Sequence, residues 1–249
     1  MSKRKDYTMD FTYWGDLLAI SGYYRLNPTV AKTKLNDFYN TTFNSLSGYC
    51  RSHTELKVFM FSDSLLMYGE DALSALKELC KVYVELIHKG LLLRGGMVKG
   101  KLEFEPRYTL ENFRKQLPTN DTLARAVGLE KAKKGARLLL ERELAADLLV
   151  SCPDWLTHEG YVRNLRAEEE PPIDIILRKI VPTPEQDYYE CLYFWVCHQD
   201  IVHNGIDYAE KIKELEAIGA MKTDNIAGHY NETVALLKRC QKRQSLTAE

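Results

Sequence analysis

Residues 56 to 71 read LKVFMFSDSLLMYGED. Two apolar runs, Val58-Phe59-Met60-Phe61 and Leu65-Leu66-Met67-Tyr68, flank only Ser62-Asp63-Ser64. Short runs rich in Val, Phe and Tyr suit strands, and so brief a polar joint folds them into a tight hairpin. That hairpin commits the chain to a sheet. It also sets a problem, because Asp63 sits between two segments that both look buried.

The remaining patterns arrange themselves around the hairpin. Residues 7 to 20 are rich in aromatic and apolar side chains and read as a strand, with Asp16 near its end. Ser21-Gly22 and Asn27-Pro28 read as turns. Residues 28 to 52 read as a helix, with Val30, Leu35, Phe38, Tyr39, Phe43 and Leu46 at three- and four-residue spacings and Pro28 in its first turn. Residues 71 to 90 give the clearest helix, ended by Gly90. Residues 90 to 105 read as a strand bending at Gly95-Gly96, then a second strand after Gly100. A capped helix follows at 119 to 134, and ARLLLERELAADLLV reads as a short strand turning into a helix. This interleaving predicts an α+β fold, a sheet covered by helices. Turn residues and charge cluster near 151 to 172. The division expected is a core over 1–150 and a C-terminal extension over 151–249, packed on the core. The extension holds one aromatic strand, Tyr188 to Trp195, read as a buried edge or dimer strand, and helices at 199 to 220 and 224 to 243.

Composition excludes several functions. The chain has 45% hydrophobic and 28% charged residues and a formal net charge of −1. Generic nucleic-acid and membrane-surface binders are usually basic, so neither partner is expected. No apolar run approaches the ~18 to 20 residues of a membrane span. The N-terminus MSKRKDYTMD has no apolar stretch after its charges, so no signal peptide is read and a cytoplasmic location is expected. Six cysteines form no C-x-x-C pair and are read as reduced, buried thiols. His198 and His203 lie five apart, which does not match a helical zinc pair, and His88 reads as a helix-terminal residue.

Two carboxylates carry the chemistry. If the strands of Asp16 and Asp63 are neighbours, both side chains converge at one edge of the sheet. Two carboxylates completed by phosphate oxygens suit Mg²⁺, which takes few protein ligands, and two such ions clamp a triphosphate and activate a hydroxyl. The competing reading is that each Asp caps its own turn. Arg94-Gly95-Gly96 is the third feature. Arg offers a planar fork for phosphate, and the competing reading is a sheet bulge with Arg94 paired to a nearby acid.

In order and spacing these motifs resemble the class III nucleotide cyclases. That family carries an aspartate at the end of its first strand (here YWGDLLAISGY), a second at the turn of the central hairpin (MFSDSLLMY), then a helix, a strand of the form R-x-G-I-x-x-G (LLRGGMVKG), and a helix ending in Leu-Glu (LARAVGLEK). The resemblance covers roughly residues 8 to 140 and looks closest to a divergent bacterial branch. It implies a cyclase-like sheet of the ferredoxin or palm type, with metal ions, two of Mg²⁺ or Mn²⁺, on Asp16 and Asp63. It implies that Leu17, Leu18, Ala19, Ile20 and Ser21 hold the phosphates, that a nucleoside triphosphate is cyclised with loss of pyrophosphate, and that the site forms in a homodimer. The chain departs from the family at five positions. Ser62 and Ala19 stand where glycine is usual. Phe59 replaces the lysine that selects adenine, which also fits the pyrimidine cyclases of bacterial antiphage signalling. Ala124 and Gly128 stand where an Asn and an Arg serve the transition state, leaving Arg125, one residue out of register, and Arg94 as candidates. Phe59 and Ser62 therefore join the candidate substrate-binding residues, and a non-catalytic nucleotide- or protein-binding module is the alternative. A palm-type polymerase or oligonucleotide cyclase ranks last, for want of its acidic hairpin pair.

Overall fold

The computed structural model describes residues 8 to 105, 116 to 151, 177 to 183, 186 to 193, 208 to 222 and 224 to 247. Within these, strands β1 (Phe11–Leu17), β2 (Lys57–Phe61), β3 (Ser64–Gly69), β4 (Leu93–Lys99), β5 (Leu138–Glu141), β6 (Leu177–Thr183) and β7 (Gln186–Cys191) form one seven-stranded sheet. Its order is β2-β3-β1-β4-β5-β7-β6. All neighbours are antiparallel except β4 and β5, which are parallel. The helices are α1 (Ile20–Leu26), α2 (Pro28–Ser52), α3 (Ala72–His88), α4 (Thr122–Glu130), α5 (Arg142–Ser151), α6 (Tyr208–Ala220) and α7 (Asp224–Thr247).

The sheet has two unlike faces because β1, β2 and β4 alternate. Tyr13, Leu17 and Met97 point into one large core shared with Phe38 and Leu46 of α2 and Leu76, Leu79 and Tyr83 of α3. The opposite face carries a smaller cluster, Leu66, Tyr68 and Leu102, with Trp14, Phe104 and Leu123 against it. Local signals start the two long helices. Asn27 accepts from the backbone of Thr29 and Val30 with Pro28 behind it, and Asp71 accepts from Ser74 N–H at 3.0 Å.

Several expectations need correction. Ser21-Gly22 is no turn: β1 stops at Leu17 and both residues lie in α1. The chain does not bend at Gly95-Gly96. β4 pairs with β1 without a break from Leu93 to Lys99, and among the described residues of the expected second strand there is a single bridge, Phe104 to Pro118. The glycines answer to packing on both faces. A Cβ on Gly95 would lie 2.4 Å from the Tyr13 hydroxyl, and one on Gly96 would lie 2.6 Å from the Ala126 carbonyl oxygen of α4. The aromatic run gives β7, an interior strand between β5 and β6 rather than an edge. Phe194 and Trp195 fall outside the described residues, as do Cys152, Cys197, His198, His203 and the first part of the helix expected at 199 to 220.

The chain beyond residue 150 completes the sheet and braces its centre. β7 pairs with β5 from Leu138↔Cys191 to Glu141↔Tyr188. Thr233 Oγ1 of α7 accepts from Ala136 N–H at 2.8 Å, and Arg137 pairs with both Glu190 of β7 and Glu232 of α7. Cys80, Cys191 and Cys240 are buried free thiols and Cys50 is half-buried. His88 is the last residue of α3. Among the described residues no helix is long and apolar enough to cross a membrane.

Candidate functional site

The register of the sheet lines up the candidate residues. Asp16 lies opposite Ser64 on β3 and Arg94 on β4, and Ser64 lies opposite Phe61 on β2. Cross-strand neighbours share a face, so Phe61, Ser64, Asp16 and Arg94 form one row across four strands. The next row is Phe59, Leu66, Trp14 and Gly96. The row containing Asp16 is polar because it sits at the end of the strands, where the α4-side apolar cluster has run out. The Ser64 hydroxyl donates to Asp16 Oδ1 at 3.3 Å.

Asp63 joins this row from the hairpin turn. Leu17 N–H donates to the Asp63 carbonyl at 2.7 Å, which ties the turn to the end of β1. The turn needs a left-handed residue, and Ser62 supplies it at φ 54°. Ala19, just after β1, is left-handed too, at φ 70°. These are the two positions where the resemblance expects glycine, and the only non-glycine positive-φ residues among those described. The carboxyl of Asp16 is pushed up to about 6, first by burial, then by the charges of Asp63 and Glu130, while Ser64 and Arg94 pull it back. Asp16 therefore feels the charge of Asp63.

The phosphate-binding candidates follow directly. The Leu17 amide is taken by Asp63, and the Leu18 amide donates to Leu92 O at 2.8 Å. That leaves Ala19, Ile20 and Ser21, where the chain turns into α1. Behind them α1 is held by the C-terminal helices. Tyr230 of α7 lies beside Tyr23, and Lys34 of α2 and Lys222 lie 4.9 and 5.1 Å from the centre of the Tyr23 ring.

The two arginines part company. Arg94 stays in the Asp16 row, but its Nε is ion-paired with Glu130, which is 1% exposed. The expected acid is thus present and the expected bulge is not. Arg125 does not reach the site. It pairs with Asp121 at 3.1 Å and with Glu141, and its Nη2 donates to Lys99 O at 2.9 Å. Lys99 lies five residues along β4 from Arg94, roughly 17 Å. Phe59 stacks on Tyr68 with ring centres 6.0 Å apart and is 37% exposed. Phe61, not Phe59, shares the row of Asp16; it lies 5.5 Å from Trp14 and is 48% exposed.

Glu130 and His229 were missed by sequence reasoning. Glu130 had a signal in the Leu-Glu helix end, but not its partner. His229 had none, since it lies 135 positions from Arg94 by number. Its Nδ1 accepts from Gly135 N–H at 3.1 Å, which leaves the proton on Nε2. Burial, then Arg94 and Lys134, pull its pKa down to about 4. The imidazole is thus neutral near pH 7 and close enough to Arg94 to feel its charge.

Chemically, two crowded carboxylates at a strand end suit a hard divalent cation, which relieves their repulsion and takes its other oxygens from water or substrate. Among the described residues no cluster of three or more His, Cys, Asp or Glu could hold a metal alone. A ligand that brings its own oxygens therefore fits better than a closed metal cage.

No family model matches the sequence, and no curated protein matches it significantly. Solved structures do. An adenylate cyclase of Trypanosoma brucei in its monomeric state is 13% identical, with a TM-score of 0.51 over 77% of this chain and 93% of that one. A bacterial light-regulated adenylyl cyclase is 12% identical, with a TM-score of 0.50 over 80% of this chain and 98% of that one. The sheet and its covering helices have the fold of a class III nucleotide cyclase catalytic domain.

Proposed function

We propose that the chain is a divalent-metal-dependent nucleotide cyclase that converts a nucleoside triphosphate to a 3′,5′-cyclic nucleotide and pyrophosphate. One observation carries this reading. On a cyclase fold, Asp16 and Asp63 meet at one end of the sheet, close enough for Asp63 to push the Asp16 carboxyl up. The two carboxylates would hold Mg²⁺ or Mn²⁺. Bound there, a divalent ion supplies charge neutralisation on the phosphates and a lowered pKa for the ribose 3′-hydroxyl. The chain does the rest. Ser64 orients Asp16, and Ala19, Ile20 and Ser21 offer backbone amides to the phosphates. Arg94, steered by Glu130, sets the positive charge beside Asp16.

Phe59 presents a ring face and no hydrogen-bonding group, so nothing at that position selects adenine, and a pyrimidine base fits this reading. The exposed rings of Phe59 and Phe61 support a homodimer in which a second copy covers this face. The segment over 151–249 is read as an extension packed on the 1–150 core, supported by the β5–β7 pairing and by the α7 contacts to residues 135 to 137.

A second reading, a nucleotide-binding module without turnover, is favoured by one specific observation. Both arginines that could meet transition-state charge are already paired with carboxylates. One experiment separates the two. The protein is incubated with each of the four labelled triphosphates and Mn²⁺, beside Asp63→Ala. Cyclic product from the native chain and none from the variant supports the cyclase. Calorimetric triphosphate binding without product supports the module, and product that survives Asp63→Ala refutes the metal assignment.

A further inference from the structure

A groove runs along the opposite face of the sheet edge, away from the carboxylates. It lies between α2 and β2, has a volume of about 400 Å³, and is lined by Phe43, Leu46, Cys50, Val58 and Met60. Ligand pockets are typically of this size and apolar character. Phe43, at its lip, is 65% exposed.

Three observations fix what would fit there. First, β2 is the end strand, and among the described residues no strand pairs with its outer edge. Half of its backbone groups therefore face outward, a template for one more strand. Second, side chains of an added strand point to the same faces as their neighbours on β2. Those beside Val58 and Met60 fall into the groove, so an entering chain places apolar residues there at every second position. Third, the one charged residue among those lining the groove is Arg51, which is exposed. No carboxylate is among the lining residues. The floor also has an unmet polar group: Thr42 lines the groove and its hydroxyl is buried without a hydrogen-bond partner, a group usually satisfied by water or a ligand.

We propose that this edge is a docking site for an extended peptide of a partner protein, which pairs with β2 as an eighth strand. It sets alternate apolar side chains into the α2–β2 groove and an acidic residue against Arg51. A second copy of this chain fits less well. Its own Val58 and Met60 already pack on their own core, and its own groove lining holds no carboxylate to meet Arg51.

The test uses the full chain and a displayed library of short random peptides, read by binding alone, so it is independent of any catalytic activity. Enriched peptides are expected to show an apolar residue at every second position and an acidic flank. The best synthetic peptide is expected to slow alkylation of Cys50, followed by peptide mass mapping. Phe43→Glu and Arg51→Glu, both at exposed positions, are each expected to weaken it by about tenfold or more. Circular dichroism checks that both variants fold. Enrichment without the alternating pattern, unchanged Cys50 alkylation, or affinity in both variants equal to that of the native chain would overturn the proposal. So would a dimer of the native chain that dissolves in Phe43→Glu, since that assigns the groove to a second copy.

Discussion

Ala19 and Ser62 hold left-handed backbone without being glycine, one on either side of the carboxylate pair. A Cβ in that conformation costs roughly 1 kcal/mol or more. Ala19→Gly and Ser62→Gly are each expected to raise the unfolding free energy by about 1 kcal/mol, measured by urea denaturation. The second residue-scale prediction concerns Asp16. Its folded pKa, about 6, lies above its ordinary 3.8. The folded chain therefore holds this proton more tightly than the unfolded chain, and stability falls as pH rises through that window. Asp16→Asn removes the titration. The variant is expected to melt higher than the native chain at pH 7.5 and nearly level with it at pH near 4, where the native carboxyl is already protonated. Equal melting differences at both pH values would contradict this. At the same scale, Asp16 and Asp63 were legible because each interrupts an apolar run. Arg125 lies away from the Asp16 row of its own chain, because a count along the sequence does not say which end of a helix faces a given row of the sheet.

The elements show why some patterns were readable and others not. α2 and α3 carry long apolar periods and side-chain caps, so their bounds could be read closely. α1 is one short helix of seven residues with Ser21 and Gly22 inside it, and its order comes from Tyr230 and Ile226 of α7 rather than from its own period. The glycine pair in β4 was misread as a bend because glycine more often marks one. Here tertiary packing decides. Tyr13 lies over Gly95, α4 lies over Gly96, and the strand stays regular between them. Gly96→Ala would set a methyl against the backbone of α4, with a Glu130 amide nitrogen also only 2.8 Å away. The expected cost is roughly 1–3 kcal/mol. Because α4 carries Glu130, the same change should loosen Arg94, which is checked by comparing Mn²⁺-triphosphate affinity in Gly96→Ala and Glu130→Gln. Matching losses support the coupling, and a loss in neither would remove Arg94 from the site.

Across the whole molecule, distant parts of the chain converge on one bracket. Arg137, at the mouth of β5, is fully buried, as is Glu190 on β7, and Glu232 on α7 closes the group. Removing the arginine strands the Glu190 carboxylate in the core, so Arg137→Ala is expected to lose roughly 3–5 kcal/mol of stability in thermal or urea unfolding. The bracket was invisible in the sequence because its members lie far apart along it, whereas the alternation of strands and helices, which sets the sheet and its cover, was legible throughout the core. What the assembled fold achieves is the meeting of Asp16 and Asp63, and the central claim is that this pair is a metal–nucleotide site. The most direct measurement is the electron paramagnetic resonance of Mn²⁺, titrated with and without a non-hydrolysable triphosphate. The native chain is expected to bind Mn²⁺ with the triphosphate present, more weakly below pH 6 as Asp16 takes up its proton. Asp16→Asn and Asp63→Ala should each lose about tenfold or more in affinity. Mn²⁺ binding that is unchanged in both variants would contradict the account.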